Sequence, residues 1–186
     1  MSELFEALDE RLTEFIENQK VYFVATAPSD GEHINLSPKG LDSLKVVNPT
    51  QVAWLNLTGS GNESAAHVLE NGRMTLMFCS FEKQPLILRL YGTARVIHPR
   101  DKQWSDFYPM FTPSVSARQI FVLDISRVQT SCGFAVPFFD FAGERDTLTK
   151  WAESRSESDI EEYWEKKNQT SLDGMPTHII KAGNED

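Results

Sequence analysis

Between Lys20 and Leu57 the chain runs in short alternating stretches cut by turn residues, and this pattern leaves few folds open. Lys20 to Ala27 places Val21, Phe23 and Ala25 on one side and Tyr22, Val24 and Thr26 on the other, the period of two of a strand. Pro28, Ser29, Asp30 and Gly31 then supply turn chemistry. A return strand over residues 32–37 reaches Pro38, which has no N–H to give a ladder and so marks an edge or a strand end. Further strands are predicted over 44–47 and 51–57. Residues 58–64, Thr-Gly-Ser-Gly-Asn-Glu-Ser, form a polar loop broken by glycine that runs into a helix over 62–71. That helix should turn Ala65, Ala66, Val68 and Leu69 inward and stop at Gly72.

The remaining chain adds strands and peripheral helices. Residues 73–79 and 85–98 predict a hairpin, and Gly92 in its longer arm predicts a bulge or sharp bend of the kind that curls a sheet. Residues 99–111 predict a helix carrying Trp104, Phe107 and Tyr108 against the sheet, and 120–125 another strand. Residues 128–141 are apolar and aromatic, broken by Pro137, and suit a core or subunit interface. At the front, Phe5, Leu8, Leu12, Phe15 and Ile16 recur at helical spacing, which predicts one helix over 2–18 with Ser2 as N-cap. From Gly143 the composition shifts to charge, predicting helices over 146–155 and 159–167, each with one tryptophan, and an extended tail over 171–186. The expected class is mainly β (α+β), an antiparallel barrel with helical decoration. Its division is a barrel domain over 1–142 and a helical extension over 143–186, packing on the same domain or on a partner subunit.

Charge narrows the partners. A formal net charge of −9 argues against nucleic acid or an anionic membrane, while a small phosphorylated ligand needs only one or two placed cations and backbone N–H groups. No window approaches the about 20 apolar residues of a membrane span, and the acidic N-terminus does not read as a leader, so a cytoplasmic location is expected. Cys79 and Cys132 are too few for a disulfide framework; Cys79 reads as a small buried hydrophobe. The four histidines are dispersed, His67 among them on a helix face, and no metal site is expected.

Two features together point to a phosphate. The 58–64 loop offers glycines that admit an anion closely, followed by the unpaired N–H groups of a helix start. Lys39 leaves the preceding strand, and if strands 32–37 and 51–57 lie side by side it faces that loop across a groove. Each feature alone also suits a capped loop and a solvated lysine. Arg89, in an otherwise apolar strand, needs a partner or an exposed edge.

The order strand, turn, strand ending in Ser37-Pro38-Lys39-Gly40, strand, polar loop, then Ala66 to Phe78 resembles the pyridoxamine 5′-phosphate oxidase-like flavoproteins, the FMN-binding split-barrel family. The likeness covers roughly residues 15–100, most specifically 62–78 and 88–96. It implies a six-stranded antiparallel split β-barrel and a homodimer with FMN at sites between subunits. It also implies a flavin-dependent oxidoreductase of unassigned small-molecule substrate, with Phe138 and Phe139 as candidate walls for the flavin ring. A non-catalytic flavin-binding protein, or a relative using F420 or haem on the same barrel, are the alternative readings. The implied cofactor residues are Ser37, Lys39, Thr58, Ser60, Asn62, Ser64 and Arg89; no side chain stands out as acid or base. Ile34 stands where the oxidase has arginine, Asn62-Glu63-Ser64 where it has Ser-Arg-Lys, and Ile87 where a glutamine is expected, so true oxidase activity on pyridoxamine phosphate is not expected.

Overall fold

The computed structural model describes residues 2–31 and 33–180; residue 32 of the predicted return strand and residues 181–186 of the predicted tail lie outside them. Thirteen elements follow in order: β1 (Glu3–Phe5), α1 (Glu10–Asn18), β2 (Tyr22–Thr26), β3 (Asn35–Lys39), β4 (Leu44–Asn48), β5 (Gln51–Leu57), α2 (Glu63–Asn71), β6 (Arg73–Cys79), β7 (Ile87–Ile97), α3 (Trp104–Phe107), β8 (Ala117–Ser131), α4 (Thr147–Glu153) and α5 (Glu157–Lys167). The strands make one eight-stranded antiparallel sheet in the order β3-β2-β6-β7-β8-β5-β4, with β1 added beside β8. The sheet curls into a split barrel with helices at its periphery, with eight strands where the resemblance implies six; of these only β1 had no strand predicted for it.

Curling is helped by an extra residue. The β7–β8 register slips between Tyr91 and Gly92, leaving Ser126 unpaired on the long strand β8. The inner face buries Tyr22, Val24, Trp54, Leu76, Phe78, Leu88, Leu90, Phe121 and Leu123, closed at one side by Leu12 and Ile16 of α1. A second cluster of Ala53, Leu55, Ile97, Ile120 and Val122 lies under Trp104, Phe107 and Tyr108. The middles of β5 and β8 are therefore covered on both faces, which explains their unbroken apolar runs.

Several local expectations need correction. Residues 2–18 are not one helix: Glu3–Phe5 pair with residues 128–130 of β8, and α1 starts at Asp9, whose side chain accepts from Leu12 N at 2.7 Å. Phe5 and Leu8 still pack on the main core, so their inward setting was readable although the period was not. The region 99–111 holds only the four-residue α3 and a 3-10 turn over Tyr108–Met110. Pro38 lies inside β3, tolerated because that strand forms the edge of the sheet. Leu69 turns outward, and Phe134, Phe138, Phe139 and Phe141 are exposed rather than core. Among the described residues no helix is long and apolar enough to cross a membrane.

Candidate functional site

The two ends of the sheet do not hydrogen-bond to each other, and the site lies in that split. β3 and β5 are not ladder neighbours, contrary to the expectation that they lie side by side; the curl of the sheet brings them to one groove instead. In the β2–β3 register Lys39, Ser37 and Asn35 oppose Tyr22, Val24 and Thr26, the three buried residues of β2, and directly opposed residues share a face. These three β3 side chains therefore turn inward, while Pro38 and Leu36 turn out.

Facing them are Asn56, Leu57, residues 59–64 and Arg118, which complete a groove of about 310 Å³. Ser37, Lys39, Ser60, Asn62 and Ser64 of the expected set are thus brought together. The Ser64 hydroxyl accepts from Asn35 Nδ2 at 3.0 Å. The same amide reaches Thr26 Oγ1 at 3.3 Å, and that hydroxyl lies 3.0 Å from Nδ1 of buried His67, which is inside the fold rather than on an open helix face. Asn62 precedes α2 without capping it by its side chain, and its Oδ1 is buried without a partner among the described residues. Thr58 lies outside this groove, on the larger pocket beside it; its hydroxyl donates to Ser116 O at 3.0 Å and accepts from Trp164 Nε1 at 2.9 Å. Arg89 is set apart. It pairs across the sheet with Met77 on the outer face and donates to Ser131 Oγ at 3.2 Å, so it does not join Lys39 within one chain.

Glu63, which stands where a cation was due, also lines the groove. Its Oε2 accepts from Leu172 N at 2.9 Å, tying the segment after α5 to the helix start.

The decisive residue missing from the expected set is Arg118. It is 3 % exposed, and in the β5–β8 pairing Asn56 opposes Gln119 while Leu57 opposes Ala117, leaving Arg118 as the extra residue of a bulge. Bulges re-aim a side chain, and here Nη1 donates to Gly61 O at 3.0 Å and Asn168 Oδ1 at 2.8 Å. Its Nε is buried with no partner among the described residues. Among the described residues neither Arg118 nor Lys39 forms an ion pair. Lys39 Nζ instead lies 5.4 Å from the ring centre of Trp54, itself stacked on Phe121 at 4.4 Å. Burial, and then the Arg118 charge, push the Lys39 pKa down to about 8. Burial lowers Arg118 to about 10, with Tyr163 acting in the opposite direction, so the guanidinium stays charged at neutral pH. Two desolvated cations held close, neither ion-paired among the described residues, favour an anion between them. The signal for Arg118 was present in the sequence as an arginine entering the apolar run of residues 120–123, where burial without a partner is costly.

Lys39 and Gly59 also line a larger pocket of about 670 Å³, walled by Val21, Pro38, Leu148, Trp151 and Tyr163. The predicted C-terminal helices thus pack on the barrel of their own chain. Tyr163 meets Trp151 edge-on at 5.4 Å, and Arg155 covers the Trp151 ring at 4.2 Å. The described part of the expected tail is also engaged, Arg100 Nη1 donating to Ile179 O at 2.7 Å.

Comparison with known proteins agrees with this architecture. A protein of Aspergillus flavus, the pyridoxamine 5′-phosphate oxidase family protein ustO, is 39 % identical over 189 residues, covering 92 % of this chain and 76 % of that one. Among solved structures, HupZ of Group A Streptococcus superposes with a TM-score of 0.52 at 18 % identity over 65 % of this chain and 91 % of that one. An FAD-binding protein from Mycobacterium smegmatis superposes with a TM-score of 0.50 at 12 % identity over 67 % and 96 %. The family described as pyridoxamine 5′-phosphate oxidase matches residues 8–132, and with the 39 % identical relative this shows that the chain belongs to that family.

Proposed function

We propose that the chain binds FMN, with the phosphate in the groove between Lys39, Arg118 and the start of α2, and that it is a flavin-dependent oxidoreductase. The observation that carries this reading is the pair of cations, buried Arg118 and half-buried Lys39, with no ion-pair partner among the described residues, in a groove that Lys39 joins to a larger apolar pocket. Family membership supports a flavin, as does the fold neighbour named for FAD binding. A terminal phosphate monoester fits the small polar groove, which favours FMN. A bound flavin supplies hydride transfer. The chain's own part is to hold the phosphate with Lys39 and Arg118, to offer donors from Ser37, Ser60 and Ser64, and to shield a flat ring with Trp151, Tyr163 and Pro38.

Titration with FMN, FAD and riboflavin tests the reading. FMN should bind more tightly than riboflavin by about 100-fold, the worth of one or two charge-assisted hydrogen bonds; equal affinities would remove phosphate from the groove. Reduction of the bound flavin by NADH or NADPH, with turnover on an acceptor, would support the oxidoreductase. A flavin that no donor reduces would support a binding protein.

The same titration carries a pH signature. A phosphate beside Lys39 favours its ammonium form, so the bound complex holds a proton that the free protein releases near pH 8. FMN affinity should be flat from pH 7 to about 8 and then fall, approaching tenfold per pH unit. Free protein behaves oppositely. Its unfolded state keeps the lysine proton up to 10.5, so the lysine contribution favours folding increasingly as pH rises from about 8 towards 10.5.

The reading includes a homodimer. Its support is the outer sheet face, where Ile34 is 77 % and Leu36 65 % exposed beside half-buried Phe23, Ala25, Met77 and Tyr91. Sedimentation should give a dimer that Leu36→Asp converts to monomer; a wild-type monomer at micromolar concentration would overturn it.

A further inference from the structure

Asn168 caps the C-terminal end of α5, outside the stretch matched to the family, and is fully buried against the groove. Its Oδ1 accepts from Arg118 Nη1 at 2.8 Å, and its Nδ2 donates to Gly59 O at 3.0 Å. Its carbonyl accepts from Asn62 Nδ2 at 3.4 Å and from Thr177 Oγ1. These partners define the amide's orientation, because a guanidinium only donates and a carbonyl only accepts. One side chain therefore holds the cation and the loop in a single arrangement.

Its chemistry is informative. A buried guanidinium is ordinarily matched by a carboxylate, which would satisfy Arg118 equally well in geometry. Such a partner would also neutralise the charge. Asparagine holds the guanidinium with an uncharged dipole, and Arg118 keeps a buried Nε without a partner among the described residues. Gly59 O and Gly61 O are drawn toward the same interior cluster, since Arg118 also binds Gly61 O at 3.0 Å.

We propose that Asn168 is a positioning residue of the anion groove: it holds Arg118 and the 59–62 loop in place while leaving the guanidinium charge available to a phosphate-bearing ligand. The inference rests on the phosphate reading above. It assigns to the C-terminal segment a part in ligand choice as well as packing.

The test is the ratio of riboflavin to FMN dissociation constants, measured by titration for wild type, Lys39→Met, Asn168→Asp and Asn168→Ala. Riboflavin lacks the phosphate and reports on the rest of the pocket. In Asn168→Asp the ratio should fall by about 30-fold or more, because an ionised partner cancels the charge offered to phosphate. Riboflavin affinity should stay within about twofold, since its contacts do not involve that charge. In Asn168→Ala, which frees the guanidinium without neutralising it, the ratio should fall by only about fivefold. If Asn168→Asp does not fold, the fall in Asn168→Ala at constant riboflavin affinity decides the matter. A ratio unchanged in the Asn168 variants but lowered in Lys39→Met overturns the inference and leaves the phosphate reading standing, as does an equal loss for both ligands. A wild type that does not prefer FMN overturns both.

Discussion

Lys39→Met should weaken FMN binding by about 10- to 100-fold and yet leave the free protein as stable as the wild type or more so. The first effect follows from losing a charge-assisted hydrogen bond to phosphate, about 1.5–3 kcal/mol. The second follows from the setting of the ammonium, which is desolvated beside Arg118 and has no carboxylate among the described residues. An unpaired cation held in such a place costs stability, and methionine keeps most of its volume without the charge. The two measurements are FMN titration and thermal melting without ligand, both at pH 7. A variant that loses stability but keeps FMN affinity would show that Lys39 serves the fold and not a ligand. Arg118→Met is expected to lose comparable affinity but also to melt earlier, because Gly61 O and Asn168 Oδ1 lose their donor.

Gly92→Ala should be among the most damaging single changes in the chain. A Cβ added there would lie 2.0 Å from Asp124 O and 3.1 Å from Ile125 Cα, both backbone atoms of β8. Backbone in the middle of a paired strand has little freedom to retreat, and the contact lies at the slip in the β7–β8 register that helps the sheet curl. The expected loss is more than about 3 kcal/mol, a large share of the 5–15 kcal/mol typical of a domain. Urea denaturation measures it directly. A midpoint close to wild type would mean that the two strands part easily here, and that the bulge is not what shapes the sheet.

How much of this was legible depends on the range of the interaction concerned. The strands β2, β3, β5, β6 and β7 and the helix α2 announce themselves through local period and turn residues, and Gly72 ends α2 in the left-handed region as its position suggests. Gly92 was readable as a bulge because only a missing side chain lets two backbones meet so closely. The N-terminal segment was misread because its apolar spacing suits a helix until β8 offers an open edge for residues 3–5 to pair with. Lys39 was readable since it leaves a strand into a turn; that it lies inside β3, facing inward with Ser37 and Asn35, follows from the β2–β3 register.

Sequence alone determined a return strand with Lys39 at its exit, the polar loop opening α2 and the expectation of an anion between them, all consequences of local pattern; the inward row of Asn35, Ser37 and Lys39 came from the register with β2. Tertiary structure decided what stands opposite. Arg118 is distant in the chain and reaches the groove because a bulge turns it there. The Glu63 carboxylate is engaged by Leu172 N–H while still lining the groove, and Arg89 is removed to the outer face by register. Asn168 meets Arg118 across 50 residues. Charge pairing and desolvation depend on distances in space, which local periodicity does not contain, so the electrostatics of the groove became visible only once the sheet had curled.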